Sequence, residues 1–205
     1  MLKLNRRAMI SLAAAMAASP VFAQETATAV TEPGDFSLGS PDAPVKIVEY
    51  ASFTCSYCAK FHAAVFKDLK KDFIETGKVQ FTMREVYFDR YGLWAAMVAR
   101  CGGDMRYFGI HDMLFEQQQE WTASQDPVQV VQNLKTIGIS AGLDAAAIDV
   151  CLNDQAMAEA LIARFQTNMA ADGVEGTPTL FVNGTKYGNM PYADLKAIID
   201  AELAK

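Results

Sequence analysis

Two cysteines and a histidine fall close together in the stretch FTCSYCAKFH, residues 53–62. Cys55 and Cys58 are separated by two residues, and His62 follows four residues after the second cysteine. Such spacing serves three chemistries: a metal clip, a structural crosslink, or a thiol pair that trades electrons with other thiols. A structural zinc site needs four ligands, commonly including a second Cys/His pair, and the only other histidine, His111, stands alone in the sequence. Haem attachment needs a histidine directly after the second cysteine, but residue 59 is alanine. A purely structural disulfide across so short a gap closes a small loop and constrains the unfolded chain little. The pattern therefore points to a redox-active dithiol with no metal. A non-catalytic metal-binding role for Cys55, Cys58 and His62 is the rival from a different class.

The flanking residues predict elements that would position such a pair. PVKIVEYAS, residues 44–52, is rich in β-branched and aromatic residues and predicts a buried strand. From Ser56 onward Phe61, Val65, Leu69 and Phe73 recur at helical spacing, with lysines between them, until Gly77. KVQFTMREV, residues 78–86, alternates apolar and polar residues and predicts a second strand. The dithiol thus sits where a strand turns into a helix. A helix N-terminus presents unpaired N–H groups and the positive end of its dipole. A thiolate at Cys55 would be stabilised there, below the ordinary pKa of about 8.5. Each unit of depression is worth about 1.4 kcal/mol in favour of the thiolate. Cys58, one turn further in, would be more buried and suited to close the ring. Glu49 lies six residues before Cys55, on the strand face it shares with Ile47 and Ala51. It is either an outward charge on an edge strand or a buried carboxyl with a raised pKa.

Residues 91–172 carry little β signal and predict four or five helices, with Asp104 capping one and Pro127 in the first turn of another. β signal returns in TLFVNG, residues 179–184, with an Asn-Gly turn and TKYG as a hairpin partner. PYADLKAIIDAEL closes the chain as a helix with Leu195, Ile198 and Ile199 on its apolar side. By itself Pro178 marks only an edge or a turn. Four cysteines allow three pairings. The close pair is expected to pair with itself, which leaves Cys101 with Cys151. A bond closing that fifty-residue loop would contribute about 4 kcal/mol in the chain-entropy account. The alternative is two buried free thiols.

The N-terminus has the three-part layout of a secretory signal: basic Lys3, Arg6 and Arg7, a short apolar run, and a small residue, Ala23, before Gln24. Residues 1–23 are expected to be cleaved, by ordinary export rather than a twin-arginine route, and 24–34 form a mobile lead-in. Losing those three basic residues makes the formal charge three units more negative than the −6 of the whole chain. That balance argues against nucleic acid or anionic lipid as partners. Outside the cytoplasm, paired cysteines can stay oxidised.

The combination resembles the DsbA-like thiol:disulfide oxidoreductases of the bacterial envelope, within the thioredoxin superfamily. The resemblance rests on FTCSYCAKFH after a strand, a helical block between two halves, and GTPTLFVNG before a closing hairpin and helix. It implies an α/β thioredoxin fold at residues 35–90 and 173–205, with an inserted all-helical domain at 91–172. It also implies Cys55 as the exposed nucleophile, Cys58 as the resolving thiol, and Ser56 and Tyr57 as the tuning dipeptide. Pro178 would be a cis proline facing the dithiol, and the Thr177 backbone would bind extended substrates by strand addition. Glu49 matches a buried acid that handles protons near the dithiol. His62 is expected to pack or cap locally, with a modest influence on Cys58. Some alphaproteobacterial members carry an additional disulfide in the helical domain, as Cys101 and Cys151 would.

The implied activity is oxidation of reduced exported polypeptides in the periplasm, by a monomer that needs no cofactor. A DsbB-type membrane quinone-linked oxidase would restore the disulfide. Three residues, at two places, depart from the family pattern. Many members have Pro-His where Ser56-Tyr57 stands, and many have Val where Thr177 stands, the latter resembling the disulfide isomerases. An isomerase or reductase using the same site is therefore the nearest alternative. Those isomerases usually carry an N-terminal dimerisation domain, whereas only about ten polar residues separate the expected signal from the first expected strand.

Overall fold

The computed structural model describes residues 33–205; the expected signal at 1–23 and most of the lead-in at 24–34 lie outside them. Five strands form one mixed sheet in the order β1-β3-β2-β4-β5. β2 (Val45–Ala51) and β3 (Val79–Glu85) are parallel, in a register that sets Glu49 opposite Met83. β4 (Thr179–Val182) pairs antiparallel with β2, and β5 (Thr185–Tyr187) with β4. The β4–β5 turn places Asn183 and Gly184 at φ +45° and +83°, the left-handed pair that a tight hairpin requires. β2 is central and bonded on both sides; Val45, Ile47, Glu49, Tyr50 and Ala51 are buried, while Lys46 and Val48 are partly exposed.

β1 (Phe36–Leu38), antiparallel to β3, is a strand that sequence patterning does not predict. Three residues are too few to show a period, and this one forms because β3 offers an open edge.

The active-site helix starts as α1 (Ser56–Phe61), passes through a π-wound stretch (His62–Phe66) and α2 (Lys67–Leu69), and ends in a second π-wound stretch (Lys70–Ile74). The expected apolar residues Phe61, Val65, Leu69 and Phe73 are all buried. The wider turns also bring Phe66 and Ile74 inward, which a strict 3.6-residue period does not anticipate.

Six helices run between β3 and β4: α3 (Arg90–Cys101), α4 (Gly103–Glu116), α5 (Gln118–Trp121), α6 (Pro127–Ser140), α7 (Ala145–Leu152) and α8 (Gln155–Ala171). Asp126 caps α6 by accepting from the Val128 N–H at 3.0 Å, with Pro127 in its first turn. Asp104 is not the cap of α4. The helix already begins at Gly103, whose φ of +60° only a glycine adopts freely, and Gly102 takes the cap position. Cys101 and Cys151 are bonded to each other, linking α3 to α7.

The helical block and the sheet share one continuous apolar core, in which Phe66 and Phe81 pack with Phe108, Ile110 and Phe115. A buried polar contact crosses the same boundary. Glu85 of β3 accepts from Arg100 at 2.6 Å and from the Tyr107 hydroxyl at 2.8 Å. α9 (Tyr192–Leu203) packs against β2 and α2. No helix among the described residues is long and apolar enough to cross a membrane.

Candidate redox site

β2 delivers the chain to the dithiol. Its ladder ends at Ala51, and Ser52–Thr54 turn it into the helix. The Cys55 N–H donates to the Ser52 carbonyl at 3.1 Å, and the Thr54 hydroxyl donates to Asp89 at 2.8 Å. Asp89 in turn caps α3 through the Gly92 N–H. Cys55 occupies the N-cap of the active-site helix in extended conformation, with φ −81° and ψ 118°. Ser56 begins the first turn. Cys58 lies inside it and is fully buried, while Cys55 is partly exposed; both are free thiols.

This geometry separates the two thiols electrostatically. Cys55 is held down to about 5, chiefly by a hydrogen bond from the Cys58 thiol. Burial opposes this, while the Thr177 side chain and the backbone N–H groups of Cys58 and Tyr57 add to it. The helix N-terminus thus contributes as the sequence implies, but the partner cysteine contributes more. Cys58 is pushed far up by that same hydrogen bond, by burial and by the charge of Glu49.

Glu49 is 2% exposed on the central strand, and its Oε1 has no hydrogen-bond partner. Burial, and then the negative charge of Cys55, pushes it up to about 8. The edge-strand alternative for this residue is excluded, because β2 is bonded on both sides.

The Thr177–Pro178 peptide is cis. It brings the Thr177 carbonyl oxygen to 3.6 Å from the Cys55 sulfur, where a protonated thiol can donate to it. The loop before β4, remote in sequence, therefore faces the dithiol. Tyr57 is 61% exposed beside Cys55, and the Lys60 ammonium lies 5.3 Å from its ring centroid.

His62 does not join the thiols. Its Nε2 lies 3.0 Å from Asp112 Oδ1 on α4, the same oxygen that His111 Nδ1 approaches at 3.0 Å. Lys70 bonds the other carboxylate oxygen at 3.1 Å. Burial favours the neutral form of Asp112, but the bonds from His111 and His62 hold it well below the carboxylate range. Burial pushes His111 down to about 4. His62 packs and bonds locally, and its ring nitrogen is engaged with Asp112 rather than with Cys58. The rival grouping of Cys55, Cys58 and His62 does not form a ligand cluster among the described residues. The ligand atoms of His62, His111 and Asp112 do lie within 4.8 Å of one another. The carboxylate there is already occupied by two imidazoles and an ammonium, so the trio is a polar clamp between the active-site helix and α4.

One neighbour of the dithiol escapes sequence reasoning. The Gln118 side-chain amide donates to the carbonyls of Phe53 at 2.8 Å and Cys55 at 3.0 Å. In sequence it is the middle of three consecutive glutamines, a run that suggests only a solvated helix surface.

Comparison with known proteins agrees with this architecture. A family model described as Thioredoxin matches residues 31–201. A putative protein-disulfide oxidoreductase of Rickettsia bellii is 34% identical over 167 residues, covering 81% of this chain and 63% of the relative. The chain therefore spans less than two thirds of the length of that relative. Disulfide bond formation protein D of Bacillus subtilis is 27% identical over 180 residues, covering 81% of this chain and 76% of that protein. Among solved structures, alpha-DsbA1 of Wolbachia pipientis superposes with a TM-score of 0.78 at 28% identity, covering 84% of this chain and 92% of that one. With a strand-to-helix CxxC facing a cis proline, a helical block between β3 and β4, and a family match over nearly all described residues, this chain belongs to the thioredoxin family and is DsbA-like in fold.

Proposed function

We propose that the chain is a dithiol oxidase that introduces disulfides into reduced exported polypeptides through Cys55 and Cys58. The observation that carries this reading is the split between the two thiols, with Cys55 held down to about 5 by a buried partner that stays protonated. Stabilising the thiolate stabilises the reduced protein, and a stable reduced form makes the disulfide oxidising. It also makes Cys55 a good leaving group.

In the oxidised protein a substrate thiolate attacks the Cys55 sulfur. A substrate–Cys55 disulfide forms, the Cys55–Cys58 bond breaks, and its electron pair leaves on Cys58. Glu49, a buried carboxyl at about 8 whose charge acts on Cys58, would give Cys58 its proton. A second substrate thiolate then attacks the substrate sulfur and expels Cys55 as a thiolate. Two substrate thiols have become one disulfide, and the protein holds the two electrons. A DsbB-type quinone-linked membrane oxidase would remove them. The Thr177 backbone, across from Cys55, would pair with the substrate main chain. The sequence supports a periplasmic location after removal of residues 1–23. It also supports a catalytic unit at 35–90 and 173–205, with an insert at 91–172 braced by the Cys101–Cys151 bond.

The isomerase or reductase reading retains one specific support, the threonine at position 177. Ribonuclease refolding separates the two. With catalytic protein and oxidised glutathione, reduced ribonuclease is expected to regain activity several times faster than without the protein. Acceleration confined to scrambled ribonuclease would assign the chain as an isomerase instead.

A further inference from the structure

Gln118 belongs to the helical block, yet it is bonded to the turn that carries the nucleophile. Past the end of the β2 ladder, the carbonyls of Phe53 and Cys55 face α5. Both are met by one side-chain amide, at 2.8 and 3.0 Å, from a residue that is 6% exposed. The amide bridges two carbonyls across Thr54. The Cys55 carbonyl also accepts the first helical bond, from the Ala59 N–H at 3.1 Å.

Gln118 can make this reach because the helix breaks just before it. Gln117, at φ −102° and ψ 18°, separates α4 from α5. The Trp121 indole N–H bonded to the Leu114 carbonyl at 2.8 Å, and the Thr122 hydroxyl bonded to the Gln118 carbonyl at 2.5 Å, hold that break in place.

We infer that Gln118 is a positioning residue for the Cys55 thiolate, supplied by the helical block to the thioredoxin fold; this rests on the redox reading above. Two physical effects follow. The amide fixes the peptide planes on either side of Thr54, and so keeps the Cys55 sulfur against the Tyr57 and Cys58 N–H groups that lower its pKa. Its bond to the Phe53 carbonyl also supplies a donor to a buried acceptor within the turn that carries the nucleophile, whereas the Cys55 carbonyl keeps the Ala59 N–H as well. A buried acceptor left without a donor is costly, so the turn would rearrange to find water or another donor.

The test is Gln118→Met, which keeps length and shape but donates nothing. Thiolate absorbance is expected to place Cys55 about half to one unit above its wild-type pKa. The dithiol–glutathione equilibrium is expected to shift roughly three- to tenfold toward the protein disulfide, the same change expressed as a ratio. A lower melting temperature with both quantities unchanged would make Gln118 merely structural and overturn the inference. Gln118→Leu serves if the methionine variant does not fold. It also donates nothing, so it is expected to raise the Cys55 pKa by a similar amount, about half to one unit, and an unchanged value overturns the inference equally. The wild-type protein distinguishes the two levels of failure. If its Cys55 does not ionise below neutral pH, the redox reading falls and the inference with it. If it does and both variants match it, only the role of Gln118 falls.

Discussion

In a Cys58→Ala variant, Cys55 is expected to titrate about one to two units above its wild-type value of about 5. A hydrogen bond to a charged group is worth about 1.5–3 kcal/mol, which corresponds to that many units, and the Cys58 thiol is the largest stabiliser of the Cys55 thiolate. Ultraviolet thiolate absorbance across a pH series measures it. The same variant is expected to lose dithiol oxidation entirely, since no internal disulfide can form. Presented with a disulfide-bearing peptide, it should accumulate a mixed disulfide at Cys55 that persists on a non-reducing gel. An unchanged Cys55 pKa would shift the stabilisation from the partner thiol to the helix N-terminus. Failure to trap any adduct would remove Cys55 as the nucleophile.

Replacing Glu49 with Gln is expected to change how the stability of the reduced protein depends on pH. Glu49 has a folded pKa of about 8 against an ordinary 4.5. Between those values the unfolded chain has released a proton that the folded protein keeps. The contribution of Glu49 is therefore fully present below about 4.5 and is lost as pH rises to about 8. Cys55 runs the other way, with a folded value of about 5 against 9. Its contribution is present above 9 and is lost as pH falls to about 5. A fully expressed titration carries a slope of about 1.4 kcal/mol per pH unit. Glu49 is fully buried and approaches that slope, while Cys55 is partly exposed and falls short of it through solvent screening.

Denaturant unfolding of the two reduced proteins from pH 5 to pH 8 measures the difference. Glu49→Gln is expected to gain stability over wild type progressively with pH, because a neutral amide has no ionisation to suppress. His111 and Asp112 titrate in both proteins and cancel from the comparison. Parallel stability curves would mean that Glu49 ionises normally, by admitting water, and would withdraw it as the proton donor to Cys58.

Much of this site is legible along the chain. The strand–CxxC–helix order places Cys55 at a helix start and Cys58 one turn inside, because a strand run, a helical period and a two-residue gap are all local patterns. The helical block and the final Asn-Gly hairpin are local in the same sense. The burial of Glu49 follows from its strand being central, which needs β3 and β4 on either side and so only the order of elements.

Other features depend on contacts between residues far apart. β1 is a strand only because β3 leaves an edge open. The cis Thr177–Pro178 peptide stands beside Cys55, 122 residues away, because β4 pairs with β2. His62 looked like a partner of the dithiol four residues before it in the chain, but helical geometry turns it toward Asp112 and His111 on another helix. Gln118 is one of three consecutive glutamines that no local pattern singles out, yet a break in the helix aims it at the Cys55 turn. By itself the sequence determined where the close thiol pair sits and the helix start that one of them occupies, since those depend on neighbours along the chain. Only the tertiary structure decided which polar groups surround them, because a buried carbonyl, carboxylate or imidazole takes whichever partner the packing of distant elements brings within about 3 Å.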